Sequence, residues 1–146
     1  MADSTWTLHR QLAQNTSPIG NLPLARILLA SDANYPWLIL VPRLPGLVEL
    51  IDLEENAQVQ LLGEIAAAAR ALKGVTACDK LNIAALGNQV PQLHVHVIAR
   101  RRSDAAWPKP VWGVAEPVAY EAHRQSAIIE ALRQRLKSAG LAEIDR

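Results

Sequence analysis

Two of the four histidines stand two residues apart, in Gln92-Leu93-His94-Val95-His96-Val97-Ile98. On an extended strand the side chains alternate, so residues 92, 94 and 96 share one face and residues 93, 95 and 97 the other. The second face is Leu, Val, Val and belongs to a core. The first is Gln, His, His and must meet a cleft, water or a partner. Three chemistries fit such a face. Both imidazoles can be structural, bonded to backbone or water. Two neutral imidazoles at this spacing can chelate zinc or copper, although no third ligand follows closely in the chain. One imidazole can instead act as a nucleophile, with its neighbours orienting it and holding anionic oxygens. Histidine suits that work because an ordinary pKa of about 6.5 leaves it largely neutral at about pH 7.

The chain that must position these groups has 146 residues and a mass of 15.9 kDa, the size of one domain. Half of its residues are hydrophobic and 20% are charged, which excludes intrinsic disorder for most of its length. Fifteen Lys and Arg against fourteen Asp and Glu give a net charge of +1. That balance offers no broad electrostatic footprint for duplex nucleic acid. The lone Cys78 excludes an internal disulfide and a cysteine-cluster zinc site. The longest apolar runs, residues 27–30 and 37–42, fall far short of the roughly 20 residues that span a bilayer, so no membrane partner is expected. The opening Met-Ala-Asp-Ser shows no basic region followed by an apolar stretch, so no secretory signal is read there and a cytoplasmic protein is expected. There is no Phe, but there are four Trp. The core is therefore expected to be aliphatic, with some Trp at margins, interfaces or a pocket, where the indole N–H finds a partner.

Residues 7–13 read as a short helix, followed by a turn-rich segment over 15–21 containing Pro18 and Gly20. Residues 24–30 and 37–41 read as strands of a hairpin, with Ser31-Asp32-Ala33-Asn34 between them. A long helix is expected from residue 53 or 54 to 73. Asp52 would be its N-cap, with Glu55 completing a capping box. Val59, Leu62, Ile65, Ala66, Ala69 and Leu72 give it an apolar stripe, and Gly74 would close it. Residues 80–86 and 92–98 read as two more strands, joined by the loop 87–91. A Pro- and Trp-rich loop fills 103–117, and a last helix spans 119–138, with Ile128, Leu132 and Leu136 spaced by four and Gly140 after it. Strands, helix, strands, helix, without regular βαβ alternation, point to α+β with a mainly antiparallel sheet.

The run from Gly87 to Ile98 resembles the signature of the histidine triad (HIT) superfamily, His-φ-His-φ-His-φ-φ with φ apolar, after a Gly- and Gln-rich loop. The likeness covers about residues 22–103. It takes in the strand ending in Val41-Pro42, Asp52-Leu53 before a long helix, and Ile98-Ala99-Arg100, where members often have Leu-Pro-Arg. It is most similar to a proteobacterial group with Gln-Leu-His-φ-His and a downstream Ala-Trp-Pro-φ-Pro-Val-Trp-Gly, here residues 106–113. The resemblance implies a HIT-like α+β fold: an antiparallel sheet of about five strands, one long helix and a C-terminal helix. Residues 1–146 would form a single domain, and two subunits would pair to extend the sheet.

The resemblance also implies a nucleotide hydrolase or nucleotidyl transferase. It would act at the α-phosphate of phosphoanhydrides or phosphoramidates, diadenosine polyphosphates among them, through a covalent nucleotidyl-histidine and without a cofactor or metal. Matched residue by residue, His94 is the nucleophile and His96 is the third triad position, donating to phosphate oxygens. Asn82 falls near ribose and phosphate, and Gln89 falls in the loop that serves the phosphate. Gln92 stands where the family has its first His. A backbone carbonyl there still orients the nucleophile, and the Gln amide can donate or accept, but general-acid help from an imidazole is lost. Trp37 stands where many members have His. It can wall a base by stacking or simply pack in the core. Two alternatives remain beside the enzyme: a non-catalytic nucleotide-binding protein and a His-x-His metal site. Arg100-Arg101-Arg102 reads as a solvated strand end, and the loop 107–113 either packs across the sheet or reaches a partner subunit. His9 and His123 read as ordinary surface or helix residues.

Overall fold

Aliphatic side chains on both faces of residues 38–41 and 95–99 suit strands covered on both sides, and both segments lie inside the sheet. The computed structural model describes residues 5–144. The chain forms α1 (Arg10–Gln14), β1 (Thr16–Asn21), β2 (Ala25–Ala30), β3 (Trp37–Pro42), α2 (Glu55–Thr76), β4 (Lys80–Ala84), β5 (Val95–Arg100) and α3 (Ala122–Leu136). Short 3-10 turns sit at Leu50–Asp52 and Lys137–Ala139. The five strands run in the order β1-β2-β3-β5-β4, every neighbouring pair antiparallel. This is the expected α+β architecture. The opening four residues, read for a secretory signal, lie outside the described residues. Among the described residues no helix is long and apolar enough to cross a membrane.

One face of the sheet is closed by the two long helices. Ile27, Leu29, Leu38, Leu40, Val95 and Val97 pack there against Leu61, Ala68 and Leu72 of α2 and against Leu132 and Leu136 of α3. Each fully buried aliphatic side chain of this kind contributes about 1.5–3 kcal/mol. The opposite face carries two smaller clusters. Leu28, Ala30, Ile39 and Val41 pack with Leu12 of α1 and Val90, and Tyr35 and Ile98 pack with Ala106 and Val111. Trp37 touches both clusters.

Several sequence expectations are corrected. Residues 16–21 form a strand rather than a turn. Pro18, which lacks an N–H, is tolerated because β1 is an edge strand and its register slips between Pro18 and Gly20. Gly20 admits the C-terminal segment: a Cβ there would lie 2.8 Å from the Ala142 carbonyl oxygen. Asp52 caps the 3-10 turn instead of α2, accepting from the Val48 and Glu49 N–H groups. Gly74 does not end α2, which continues to Thr76 and stops at Ala77 in the left-handed region (φ 50°). Gly74 instead lets Arg135 of α3 cross, since a Cβ would run into its guanidinium.

The stripe of α2 is shifted as well. Its buried residues are Leu61, Glu64, Ile65, Ala68, Ala69, Ala71 and Leu72, so Ile65, Ala69 and Leu72 of the expected stripe are buried, whereas Val59 and Leu62 are 72% and 67% exposed. Glu64 disguised the buried face. Its carboxylate is buried because it accepts from the Leu24 and Ala25 N–H groups at the start of β2. At the N-terminus α1 begins at Arg10, with the His9 ring accepting from the Gln11 N–H as its cap. The last helix begins at Ala122, where the Glu121 carboxylate accepts from His123 and Arg124.

Candidate active site

Val95, Val97 and Ala99 of β5 point into the helix-covered core, so His96, Ile98 and Arg100 lie on the other face. His96 sits between Ile39 on β3 and Ala84 on β4, and His94 stands just ahead of the strand. Both rings are buried, edge to face, with centroids 4.9 Å apart. Gln92 does not continue this face. The strand begins at Val95, and the chain bends at Gln92.

Each imidazole has its Nδ1 committed to a group of fixed polarity. His94 Nδ1 lies 2.7 Å from the backbone carbonyl oxygen of Gln92. A carbonyl only accepts, so His94 donates through Nδ1, and in the neutral ring Nε2 carries the lone pair. His96 Nδ1 lies 3.0 Å from Nε1 of Trp37. An indole N–H only donates, so the neutral His96 ring carries its proton on Nε2. The two rings therefore present opposite atoms: a lone pair from one and an N–H from the other. Burial first, and the neighbouring His94 second, push the pKa of His96 down to about 4.

The side chain of Gln92 is spent elsewhere. Its Oε1 accepts from the His9 N–H at 2.8 Å and its Nε2 donates to the Thr7 carbonyl at 2.9 Å. This reciprocal pair pins residues 7–9 beside the motif and gives His9 a structural place that sequence reading missed.

A cavity of about 550 Å³ opens over the imidazoles. Gln11 and Asn15 form part of one wall, Trp37 and Ile39 line it from β3, Gln89 contributes from the loop before the motif, and Trp112 borders it from the late loop. A second cavity of about 220 Å³, lined by Leu50, Ile51, Leu86 and Gln92, also borders His94. Of the expected site residues, His94, His96, Gln89 and Trp37 are brought together. Asn82 lines neither cavity, because its Oδ1 accepts from Arg100 at 2.8 Å. Among the described residues no cluster of three His, Cys, Asp or Glu side chains is placed to hold a metal ion.

Arg100 is not a solvated strand end. It is 1% exposed, donates to both oxygens of Asp104 at 2.7 and 3.0 Å, and stacks over Tyr35 and Trp107. Burial by itself would raise the pKa of Asp104. Arg100 and the N–H groups of Arg101, Ala106 and Trp107 outweigh it and hold the carboxyl at about 2. This knot starts the late loop on a path back across its own sheet, one of the two placements expected for residues 107–113. Trp112 thus ends edge-on to His96 and Trp37, at 5.1 and 5.7 Å. The available signal for Arg100 was parity, since residues 94, 96, 98 and 100 share a face.

A family model of the HIT domain matches residues 11–103. Among solved structures, the chain is similar to a histidine triad protein from Bradyrhizobium japonicum, with 60% identity, a TM-score of 0.88, and 89% of this chain and 97% of that one covered. It is also similar to a histidine triad (HIT) protein from Sinorhizobium meliloti 1021, with 40% identity, a TM-score of 0.88 and coverage of 91% and 98%. A histidine triad protein from Marinobacter aquaeolei VT8 gives 41% identity, a TM-score of 0.89 and coverage of 92% and 98%. No curated protein matches the chain significantly.

Proposed function

Because the chain belongs to the HIT domain family, whose members are nucleotide-binding proteins and hydrolases, we propose that it hydrolyses or transfers nucleotidyl groups at an α-phosphate, with His94 as the nucleophile. The observation that carries this reading is the 2.7 Å bond from His94 Nδ1 to the Gln92 carbonyl. It places the lone pair of the neutral ring on Nε2, in a residue bordering the large cavity, which is the requirement for attack on phosphorus.

In this reading Nε2 of His94 attacks the α-phosphorus, and the bond to the leaving group breaks with its electron pair. A nucleotidyl-His94 results, with the new positive charge on the ring facing the Gln92 carbonyl. Water then attacks phosphorus, the phosphorus–nitrogen bond breaks, and a nucleoside monophosphate leaves as His94 regains its lone pair and the water's proton passes to solvent. His96 donates Nε2–H to a non-bridging oxygen, where such a donor is stronger as charge builds in the transition state. Gln89 can add its amide to the phosphate. Trp37, Ile39 and Ala30 give the cavity an apolar floor suited to a base. Diadenosine polyphosphates fit these requirements.

We read residues 1–146 as one such domain, cytoplasmic, and paired with a second copy. β4 is a sheet edge whose Ile83 is exposed, and Ile51, Val59 and Leu62 are exposed as well. An isologous contact covers such a surface with a single self-complementary patch. Product analysis with diadenosine polyphosphates tests the function: release of a nucleoside monophosphate by the wild type and not by His94→Ala supports it. Tight binding of a nucleoside monophosphate without turnover of any dinucleotide would replace it with the non-catalytic alternative.

A further inference from the structure

A nucleotidyl transfer needs a nucleophile, a charge stabiliser and, for some leaving groups, an acid. Histidine at the first motif position would offer an acid. Here the Gln92 carboxamide cannot, because an amide does not titrate in this role and both its ends are held by Thr7 and His9. His96 cannot substitute. Its neutral ring already has Nδ1 occupied by the Trp37 N–H, so it offers a hydrogen bond through Nε2 but no proton of an imidazolium. His94 Nδ1–H is directed at a carbonyl, away from any reacting bond. The other titratable groups lining the two cavities, Asp32 and Glu49, are committed as acceptors: Asp32 accepts from the Asn34 and Val118 N–H groups and Glu49 from the Asp52 N–H. Among the described residues, therefore, nothing that borders His94 is built to protonate a departing atom.

We propose, resting on the nucleotidyl-transfer reading above, that this site selects substrates whose leaving group departs as a stable oxyanion, namely nucleoside phosphoanhydrides, and discriminates against nucleoside phosphoramidates. In a phosphoanhydride the phosphorus–oxygen bond breaks with its electron pair on a phosphate oxygen, which needs no proton. In a phosphoramidate the phosphorus–nitrogen bond can break only after nitrogen gains a proton, since an amide anion is too basic to leave. A positioned acid supplies about 10²–10⁴-fold to such a step. Its absence sets the size of the discrimination.

The test compares kcat/KM of the full chain for diadenosine tetraphosphate and adenosine phosphoramidate at one neutral pH. Nitrophenyl and unsubstituted phenyl esters of adenosine monophosphate serve as a leaving-group series. The expected result is a preference of at least about a hundredfold for the phosphoanhydride, with the nitrophenyl ester far faster than the phenyl ester. Gln92→His, which introduces a titratable ring, should compress both ratios. Gln92→Ala, which frees the same backbone groups without adding an acid, should not. A phosphoramidate turned over within about tenfold of the phosphoanhydride, or a flat ester series, overturns the inference while leaving nucleotidyl transfer intact. No turnover of even the nitrophenyl ester rejects the underlying reading and this inference with it.

Discussion

Replacing Trp37 with Phe keeps an aromatic ring against His96 and Trp112 and deletes one atom of consequence, the indole N–H that holds His96 Nδ1. In the wild type that bond makes His96 a single tautomer, and burial with His94 keeps its pKa at about 4. The lost bond is worth about 1 kcal/mol net, so the ring's proton affinity should rise by about fivefold in the variant. The same group links to stability. His96 takes up a proton in the unfolded chain at about pH 6.5 but in the fold only at about 4. Stability from this group is therefore complete above the first value and falls as pH drops towards the second. The total loss is about 3 kcal/mol. In Trp37→Phe the window narrows and the loss shrinks by about 1 kcal/mol. Ring nitrogen and carbon chemical shifts followed through a pH titration read the tautomer and the titration together. Urea unfolding at several pH values reads the linkage. A wild-type His96 that carries its proton on Nδ1, or titrates in the ordinary imidazole range, refutes the reasoning. So does a Phe variant in which neither property moves.

Gln92→Ala should release residues 7–9, costing about 1–2 kcal/mol for two part-exposed hydrogen bonds, lower Tm by several degrees and raise KM, because Gln11 and Asn15 wall the cavity; amide exchange unchanged over residues 10–15 would contradict this. Asp104→Asn leaves Arg100 buried without its counter-charge and should cost about 3–5 kcal/mol in urea unfolding. In the wild type, the depressed pKa of Asp104 supplies about 2 kcal/mol that is present at neutral pH and lost as pH falls below about 4 towards about 2. Light scattering should give twice 15.9 kDa for the wild type and, for Leu62→Glu with Ile51→Glu, a shift towards 15.9 kDa; a wild-type monomer at micromolar concentration removes the dimer.

The fold was legible where the physics is local. Residues 24–30, 37–41 and 92–98 read as strands because their apolar runs are bounded by turn residues, and the α+β class followed from element order. β1 was hidden because Pro18 and Gly20 carry turn chemistry, while their tolerance depends on an edge position and on Ala142, more than a hundred residues away. The buried face of α2 was misjudged because periodicity cannot foresee that Glu64 is satisfied by two backbone groups of another element. At the site, His94 and His96 stood out by type and spacing. The roles of Gln92, Arg100 and Asn82 did not, since each is decided by a partner: Thr7 and His9 for Gln92, Asp104 for Arg100, and Arg100 for Asn82.

The most direct test of the central claim is a rapid quench of the enzyme during turnover of diadenosine tetraphosphate, into alkaline denaturant, followed by intact-mass and peptide mass spectrometry. A nucleotidyl adduct carried by a nitrogen of His94, formed and consumed at rates that account for turnover and missing in His94→Ala, is the predicted result. Turnover with no adduct, an adduct on another residue, or full activity in folded His94→Ala would contradict nucleophilic catalysis by His94.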